Sequence, residues 1–595
     1  MCLKKVVIAL AAFLLVAVLA APSAAQPGAG YYELTEQTYE INENRTIDAS
    51  MRFTLVTGPG WITSITWPVY TSEIYNALAS DDSGSLRTEV LPAENKITVY
   101  FRGNGIPPRS RLTFNLSYAA GGLVSGSGPE YRVTLGGLQT GDYRHDNYVV
   151  IIRGPGNTRL FLTKPQAEVT GIAPPEVRYP TKLETNDEFG GLHVRFYDTA
   201  QPVYYKVTLT ERLINESTGK IDGVRLDVML FTDEASWQFS ALAWSNYPIK
   251  NMYVDEENNW HGIFDLGEIS PGATKELRLE LIYEIYVYDP GISWGQVGVL
   301  AEVPAELGPY LKADKCWESD HAAIKQWALE IVAGGTNAYF VAEEIVKSVG
   351  EHLKYEKQEN RRGALWAYTN REGDCSEYTD LSIALARAAG LPARAMYGWG
   401  YREDNFGGHA WAEFYLPNRG WQPVEPTWPD TLGVDPRNYL FRLDPIHLTR
   451  NVRGLISGEA GASITRYGPE PTFKENALAE VLKTSGAAQE FVRAAQYAVG
   501  LADSLLAISP SEALRAKQND AKQALAQAQA ATDENQIISH AKSSLQNANE
   551  VIRALGRRPT EPSLWDIFMK IVWPWLVIVC ALIAAGGIIW KIRSR

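Results

Sequence analysis

The chain has 595 residues, 45% of them hydrophobic and 21% charged, with a net charge of −13. One apolar core cannot organise that length, so several domains of about 100–200 residues are expected. An acidic balance with no Lys/Arg block excludes the electrostatic footprint of a nucleic-acid binder.

Residues 1–25 read as a secretory signal. Lys4 and Lys5 precede an apolar run over 6–21, and Ser23-Ala24-Ala25 supplies the small residues of a cleavage site before Gln26. Residues 26–170 read as a β-sandwich domain. Ile97, Val99 and Phe101 alternate with polar neighbours, as do Leu112, Phe114, Leu116 and Tyr118, and period two means a strand with one buried side. A Pro/Gly-rich stretch near 154–180 marks a joint. A second β-sandwich domain is expected over 171–300, where Val224, Leu226, Val228 and Leu230 alternate in the same way. Asp255-Glu256-Glu257-Asn258-Asn259 lies between two of its strands. It lacks the ligand spacing of a Ca²⁺ loop and reads as a solvated hairpin turn.

Residues 301–465 mix helical and strand patterns and hold the chemistry. Residues 466–560 are Ala-rich and read as a helical stalk or hairpin, or equally as a bundle packed on the domain before it. Ser509-Pro510-Ser511-Glu512 is a helix start, and Ala541, Leu545, Ala548, Ile552 and Leu555 form a heptad-like seam. Residues 571–590 carry no charge and are long enough to span a bilayer. Trp573, Trp575 and Trp590 suit its interfaces, and Lys591, Arg593 and Arg595 make 591–595 a cytoplasmic tail. The expectation is a single-pass cell-membrane protein with its ectodomain outside.

Four cysteines are present, and only Cys316 and Cys375 fall in the expected ectodomain, too few for a disulfide framework. In Arg371-Glu372-Gly373-Asp374-Cys375-Ser376-Glu377, Asp374 is placed to cap a helix that begins at Cys375 and stops at Gly390, with Pro392 beyond. A cysteine in the first turn meets free N–H groups and the positive end of the helix dipole, which favour thiolate over thiol. Gly373 would let a substrate backbone approach. The competing reading of this thiol is a disulfide with Cys316.

A thiolate needs a proton carrier. His409 opens the alternating strand His409-Ala410-Trp411-Ala412-Glu413-Phe414-Tyr415, and a turn returns the chain through Trp421-Gln422-Pro423-Val424-Glu425. With Tyr415 opposite Trp421, Glu425 is a diagonal neighbour of His409 on one sheet face. A carboxylate there fixes the tautomer of the imidazole and stabilises its charged form. The other histidines, His145, His193, His261, His321, His352, His447 and His540, show no such partner pattern and read as surface or core residues. The Cys375 N–H is one oxyanion donor by geometry. A second is left open among Trp366, Tyr368 and Asn370.

At Gly373-Asp374-Cys375-Ser376-Glu377, Arg387-Ala388-Ala389-Gly390-Leu391-Pro392-Ala393-Arg394, His409-Ala410-Trp411 and Glu425-Pro426-Thr427 the chain resembles the transglutaminase-like superfamily, in its prokaryotic extracytoplasmic, membrane-anchored branch. The resemblance covers residues 316–430. It implies an α+β papain-like transglutaminase core and a Cys–His–Asp triad, carried here by Cys375, His409 and position 425, where Glu stands for the usual Asp. The resulting expectation is a thiol enzyme that attacks peptide or isopeptide amides of a protein or peptide substrate in the cell envelope, primarily by hydrolysis. Transamidation with the same triad is the first alternative, and a non-catalytic adhesion or assembly module the second. With no metal cluster, phosphate loop or nucleotide fingerprint in the sequence, no metal or cofactor is expected.

Overall fold

The computed structural model describes residues 30–126, 128–136, 144–164, 167–172, 174–179, 191–402, 405–429, 436–458 and 461–557. The expected signal (1–25), membrane span (571–590) and tail (591–595) lie outside the described residues.

The alternation read over the first β region produces an eleven-stranded sheet and a four-stranded sheet. They share one core, in which Phe53, Trp67, Ile97, Phe114, Val133, Val194 and Phe196 are buried. The strand Gly191–Asp198 belongs here. It pairs with Glu130–Gly136 and Thr158–Lys164, so this β unit continues past the joint expected at residue 170. The break in the sheets falls before Val203.

The second β unit is two four-stranded sheets around a common core. One runs in the order Gln238–Ser245, Thr274–Ile285, Val203–Ile214, Thr472–Leu482. The other runs Ile249–Val254, Asn259–Ile269, Ile221–Thr232, Ala462–Tyr467. The last strand of each sheet arrives from beyond residue 460. The whole α/β segment is therefore looped out of this sandwich between Ile285 and Ala462. Thr472–Leu482 was expected to be helical, and its Glu, Lys and Ala residues favour a helix. Twelve-residue partner Val203–Ile214 offers it an open edge, and pairing along eleven positions overrides local propensity.

Within the inserted segment, helices α1 (Ala322–Val332), α2 (Ala338–His352) and α3 (Ala364–Asn370) surround α4 (Cys375–Ala388). Every residue of α4 from Glu377 to Arg387 is buried, as befits a helix enclosed on all sides. Beside it lies an antiparallel sheet ordered Gly420–Val424, Asn405–Leu416, Ala393–Arg402, His447–Arg453. Ala395, Ala410, Ala412 and Phe414 join the core under α4. Met396, Trp411, Leu448 and Val452 join the core of the second sandwich. One sheet thus carries two hydrophobic faces, and its position is fixed from both sides.

The turn at 255–258 is not a solvated hairpin. Glu257 and Asn259 are buried. Asn259 exchanges hydrogen bonds with both backbone groups of Val452, at 2.8 and 2.9 Å, and Glu257 accepts from the N–H groups of Gly454 and Leu455. The turn's acids serve as a clamp on the end of the His447–Arg453 strand.

Helices α5 (Thr484–Ile508), α6 (Glu512–Ala530) and α7 (Glu534–Leu555) pack on the second sandwich and share its core. Ala541, Leu545, Ala548 and Ile552 are buried, as their spacing requires. Of the two arrangements left open for this region, the packed bundle is the one adopted. Among the described residues, α5 alone is long and apolar enough to cross a membrane by length and composition. Phe491, Ala494, Ala498 and Leu501 bury it against the protein.

Candidate functional site

The start of α4 is built as a capping box. Asp374 accepts from the Ser376 N–H at 3.0 Å, and Glu377 accepts from the Asp374 N–H at 3.1 Å. The other oxygen of Glu377 takes the Arg362 N–H at 2.7 Å, and Asp374 takes the Gln358 N–H at 3.1 Å. Both caps therefore also pin the preceding loop. Burial pushes the Glu377 carboxyl up to about 7, against the two backbone N–H groups that favour its charged form. The space above Gly373 is not left for a substrate. A Cβ there would lie 2.3 Å from the Cβ of Glu377, so glycine is needed for the cap to close. One turn on, Asp380 receives Trp317 Nε1 at 2.8 Å and the Arg361 guanidinium. Burial raises its carboxyl to about 6 despite that cation.

The hairpin that carries the histidine has the expected register. Tyr415 pairs with Trp421 and Ala412 with Val424. It delivers His409 Nε2 to within 2.6 Å of Glu425 Oε2, with Glu425 wholly buried. The Cys375 sulfur lies close enough to act on the same ring. With Nε2 committed to Glu425, Nδ1 is the nitrogen left for sulfur. Burial disfavours a charged His409, but the Glu425 carboxylate, aided by the electron-rich Cys375 sulfur, outweighs it and raises the imidazole to about 9. Burial likewise works against an ionised Glu425, and the facing imidazoles overturn it, holding the carboxyl well below its usual range. The structure therefore brings His409 and Glu425 into direct contact and sets Cys375 near enough to act on the same ring. Cys316 and Cys375 are both free thiols, so the disulfide alternative does not occur.

The oxyanion candidates are disposed differently. Asn370 gives its amide to the Trp366 carbonyl at 2.9 Å. The Tyr368 ring stacks on His352 and lies tilted against Trp327, and its carbonyl accepts from His352 at 2.8 Å. Trp366 lies under the Arg362 guanidinium. The polar groups of Tyr368 and Asn370 noted here serve the packing of α3.

Sequence reasoning passed over His447, a wholly buried residue at the site. Its Nε2 lies 3.2 Å from Glu425 Oε2, and its Nδ1 lies 2.8 Å from Asp444 Oδ1. The Tyr439 hydroxyl donates to the other Asp444 oxygen at 2.9 Å. The signal available was Asp444-Pro445-Ile446-His447, an acid three residues before a histidine at a strand start. Trp428 stacks on His409 at 5.1 Å between ring centroids and contacts His447 at 3.9 Å. The polar atoms of His409, Glu425 and His447 converge within 4.8 Å. One Glu425 oxygen already serves both imidazoles, so a cation placed among them would displace both hydrogen bonds.

Residues 325–426 match the family model of the transglutaminase-like superfamily. A protein-glutamine gamma-glutamyltransferase of Pseudomonas aeruginosa is 35% identical over 71 residues, which cover 10% of this chain and 11% of that protein. The chain spans about a tenth of the length of the curated relatives it matches. Among solved structures, a candidate cysteine protease from Cytophaga hutchinsonii is 16% identical with a TM-score of 0.36, covering 47% of this chain and 91% of the other. The periplasmic domain of TgpA from Pseudomonas aeruginosa, bound to ethylmercury, is 13% identical with a TM-score of 0.22, covering 40% and 92%. The sequence matches place the segment over 325–426 in the transglutaminase-like superfamily.

Proposed function

We propose that this protein is a membrane-anchored extracytoplasmic thiol enzyme that cleaves peptide or isopeptide amides through Cys375, His409 and Glu425. The observation that carries the reading is His409 Nε2 held 2.6 Å from the buried Glu425 Oε2, with the Cys375 sulfur near enough to act on the same ring. A cysteine at a capped helix start, an imidazole in hydrogen-bonding reach and a buried acid behind it are the parts that nucleophilic acyl transfer requires.

In this reading the Cys375 sulfur attacks the amide carbon, a C–S bond forms and the carbonyl π electrons move to oxygen. The Cys375 N–H faces the developing charge, the Asp374 cap having taken the Ser376 N–H. The C–N bond then breaks as protonated His409 gives its proton to the departing amine. Water, deprotonated by His409, releases the acyl group and restores the thiol. An amine in place of water gives transamidation by the same steps, and the name of the P. aeruginosa relative supports keeping that outcome as the alternative. The location outside the membrane rests on the signal-like residues 1–25 and the apolar run 571–590.

Iodoacetamide tests the thiol directly. Cys375 should alkylate at least about tenfold faster in the native chain than in His409→Ala. Equal rates in the two proteins, or an inert Cys375, would remove the enzymatic reading in favour of a binding module.

A further inference from the structure

Behind the three residues of the proposed site sits a second imidazole whose two ring nitrogens both face carboxylates. His447 Nδ1 is 2.8 Å from Asp444 and Nε2 is 3.2 Å from Glu425. An ionised carboxylate only accepts, so each of these contacts needs a proton on the nitrogen. Glu425 has no spare capacity. Its Oε1 accepts the N–H groups of Thr427 and Trp428 at 2.6 and 3.0 Å, and its Oε2 accepts from His409 and His447. The two histidine rings stand 5.5 Å apart.

We propose that His447 is a positioning residue, held as a buried imidazolium by Asp444 and Glu425, which shares Glu425 Oε2 with His409 and so weakens the pull of that carboxylate on the His409 proton. This rests on the reading of Cys375, His409 and Glu425 given above.

The surroundings favour the charge. Trp428 and Trp411 present rings to His447 at 3.9 and 5.1 Å, and aromatic faces stabilise a cation. The groups that face it from every packed element are Glu425 and Trp428 from the loop, His409 and Trp411 from the hairpin, and Asp444 with Tyr439 bound to it. Arg195 and Tyr197 of the first β unit act on Asp444 from the far side. Burial opposes the charged ring, and the two carboxylates prevail, raising it to about 9.

A merely structural His447 and a charged one predict opposite signs. If the residue only props Glu425, its removal frees that carboxylate to drift and His409 becomes less basic. If it is a cation competing for the same oxygen, its removal makes His409 more basic. The experiment is ¹⁵N solid-state NMR of the full chain in lipid with labelled histidine, with the His447 and His409 signals assigned by their loss in His447→Gln and His409→Gln. At pH 8 the His447 ring should show two protonated nitrogens. The His409 deprotonation midpoint should rise by roughly one pH unit in His447→Gln, the effect of losing a charge at such a separation in a protein interior. Asp444→Asn, which removes the partner that keeps His447 charged, should move it in the same direction. It serves as the second variant should His447→Gln fold poorly. A His447 ring with one bare nitrogen, or a His409 midpoint that stays or falls in both variants, overturns the proposal. Failure of the enzymatic reading would look different, as His409-independent alkylation of Cys375 with the His447 spectrum unchanged.

Discussion

Glu425 explains why an acid one methylene longer than the usual Asp suits this site. Its carboxylate must reach His409 on one strand, His447 on another and two backbone N–H groups of its own loop. An Asp at the same backbone position would fall short of that span. Glu425→Asp should therefore keep the charge and lose part of the alignment, while Glu425→Gln loses the charge outright. The Glu425 carboxylate is the chief cause that raises His409 to about 9. Without the carboxylate most of that stabilisation goes. The iodoacetamide rate at neutral pH should fall by roughly 10–100-fold in Glu425→Gln and by less in Glu425→Asp. Equal rates for Glu425→Gln and the native chain would show that Glu425 does not hold the imidazole.

At the scale of elements, the parts of the site that are local in sequence were legible and the parts that meet through space were not. The cap at Asp374, the stop at Gly390 and the register of the hairpin follow from spacing alone, because each is decided within a few residues. His447 was only half legible: Asp444 stands three residues before it, but Glu425 follows the strand at the opposite edge of the sheet, and only pairing of His447–Arg453 with Ala393–Arg402 brings the two together. The clamp at 255–259 was misread for a related reason. Its acids and amides resemble a solvated turn until a strand almost 200 positions away consumes them. Asn259 is the clearest case, since both its amide atoms serve Val452. Asn259→Ala would leave a buried N–H and a buried C=O without those partners, at about 1–3 kcal/mol each. Denaturant titration should show a loss of about 2–4 kcal/mol. A loss under about 0.5 kcal/mol would mean that the turn does not clamp the strand.

The molecule as a whole depends on one chain passing out of the second sandwich into the inserted α/β segment and back again. The return strands Ala462–Tyr467 and Thr472–Leu482 complete its two sheets. Nothing in the local sequence announces that closure, since the partners are some 230–280 positions apart. Arg450 sits where the units join. It is buried, and it donates to the Met229 carbonyl at 2.8 Å, to both oxygens of Glu475 at 2.8 Å and to Glu211 at 3.5 Å. One cation thus spans the inserted sheet and strands from both sandwich sheets. Burial, with the charge of Glu475 added, pushes the Glu211 carboxyl up to about 9 even beside the guanidinium. Arg450→Met should strand two glutamates against each other in the interior. Breaking a buried pair in this way costs about 3–5 kcal/mol. The sign with pH follows from the raised carboxyl. The folded state holds a proton that the unfolded chain gives up above its ordinary carboxylate pKa, so this cluster costs more stability as pH rises towards 9 and less as it falls towards 5. Removing the cation strengthens that dependence. The deficit of Arg450→Met relative to the native chain should be largest at pH 8 and shrink by pH 5. Denaturant titrations of the two proteins at both pH values measure it. A deficit independent of pH would place the loss in packing around the Arg450 side chain instead of in its charge.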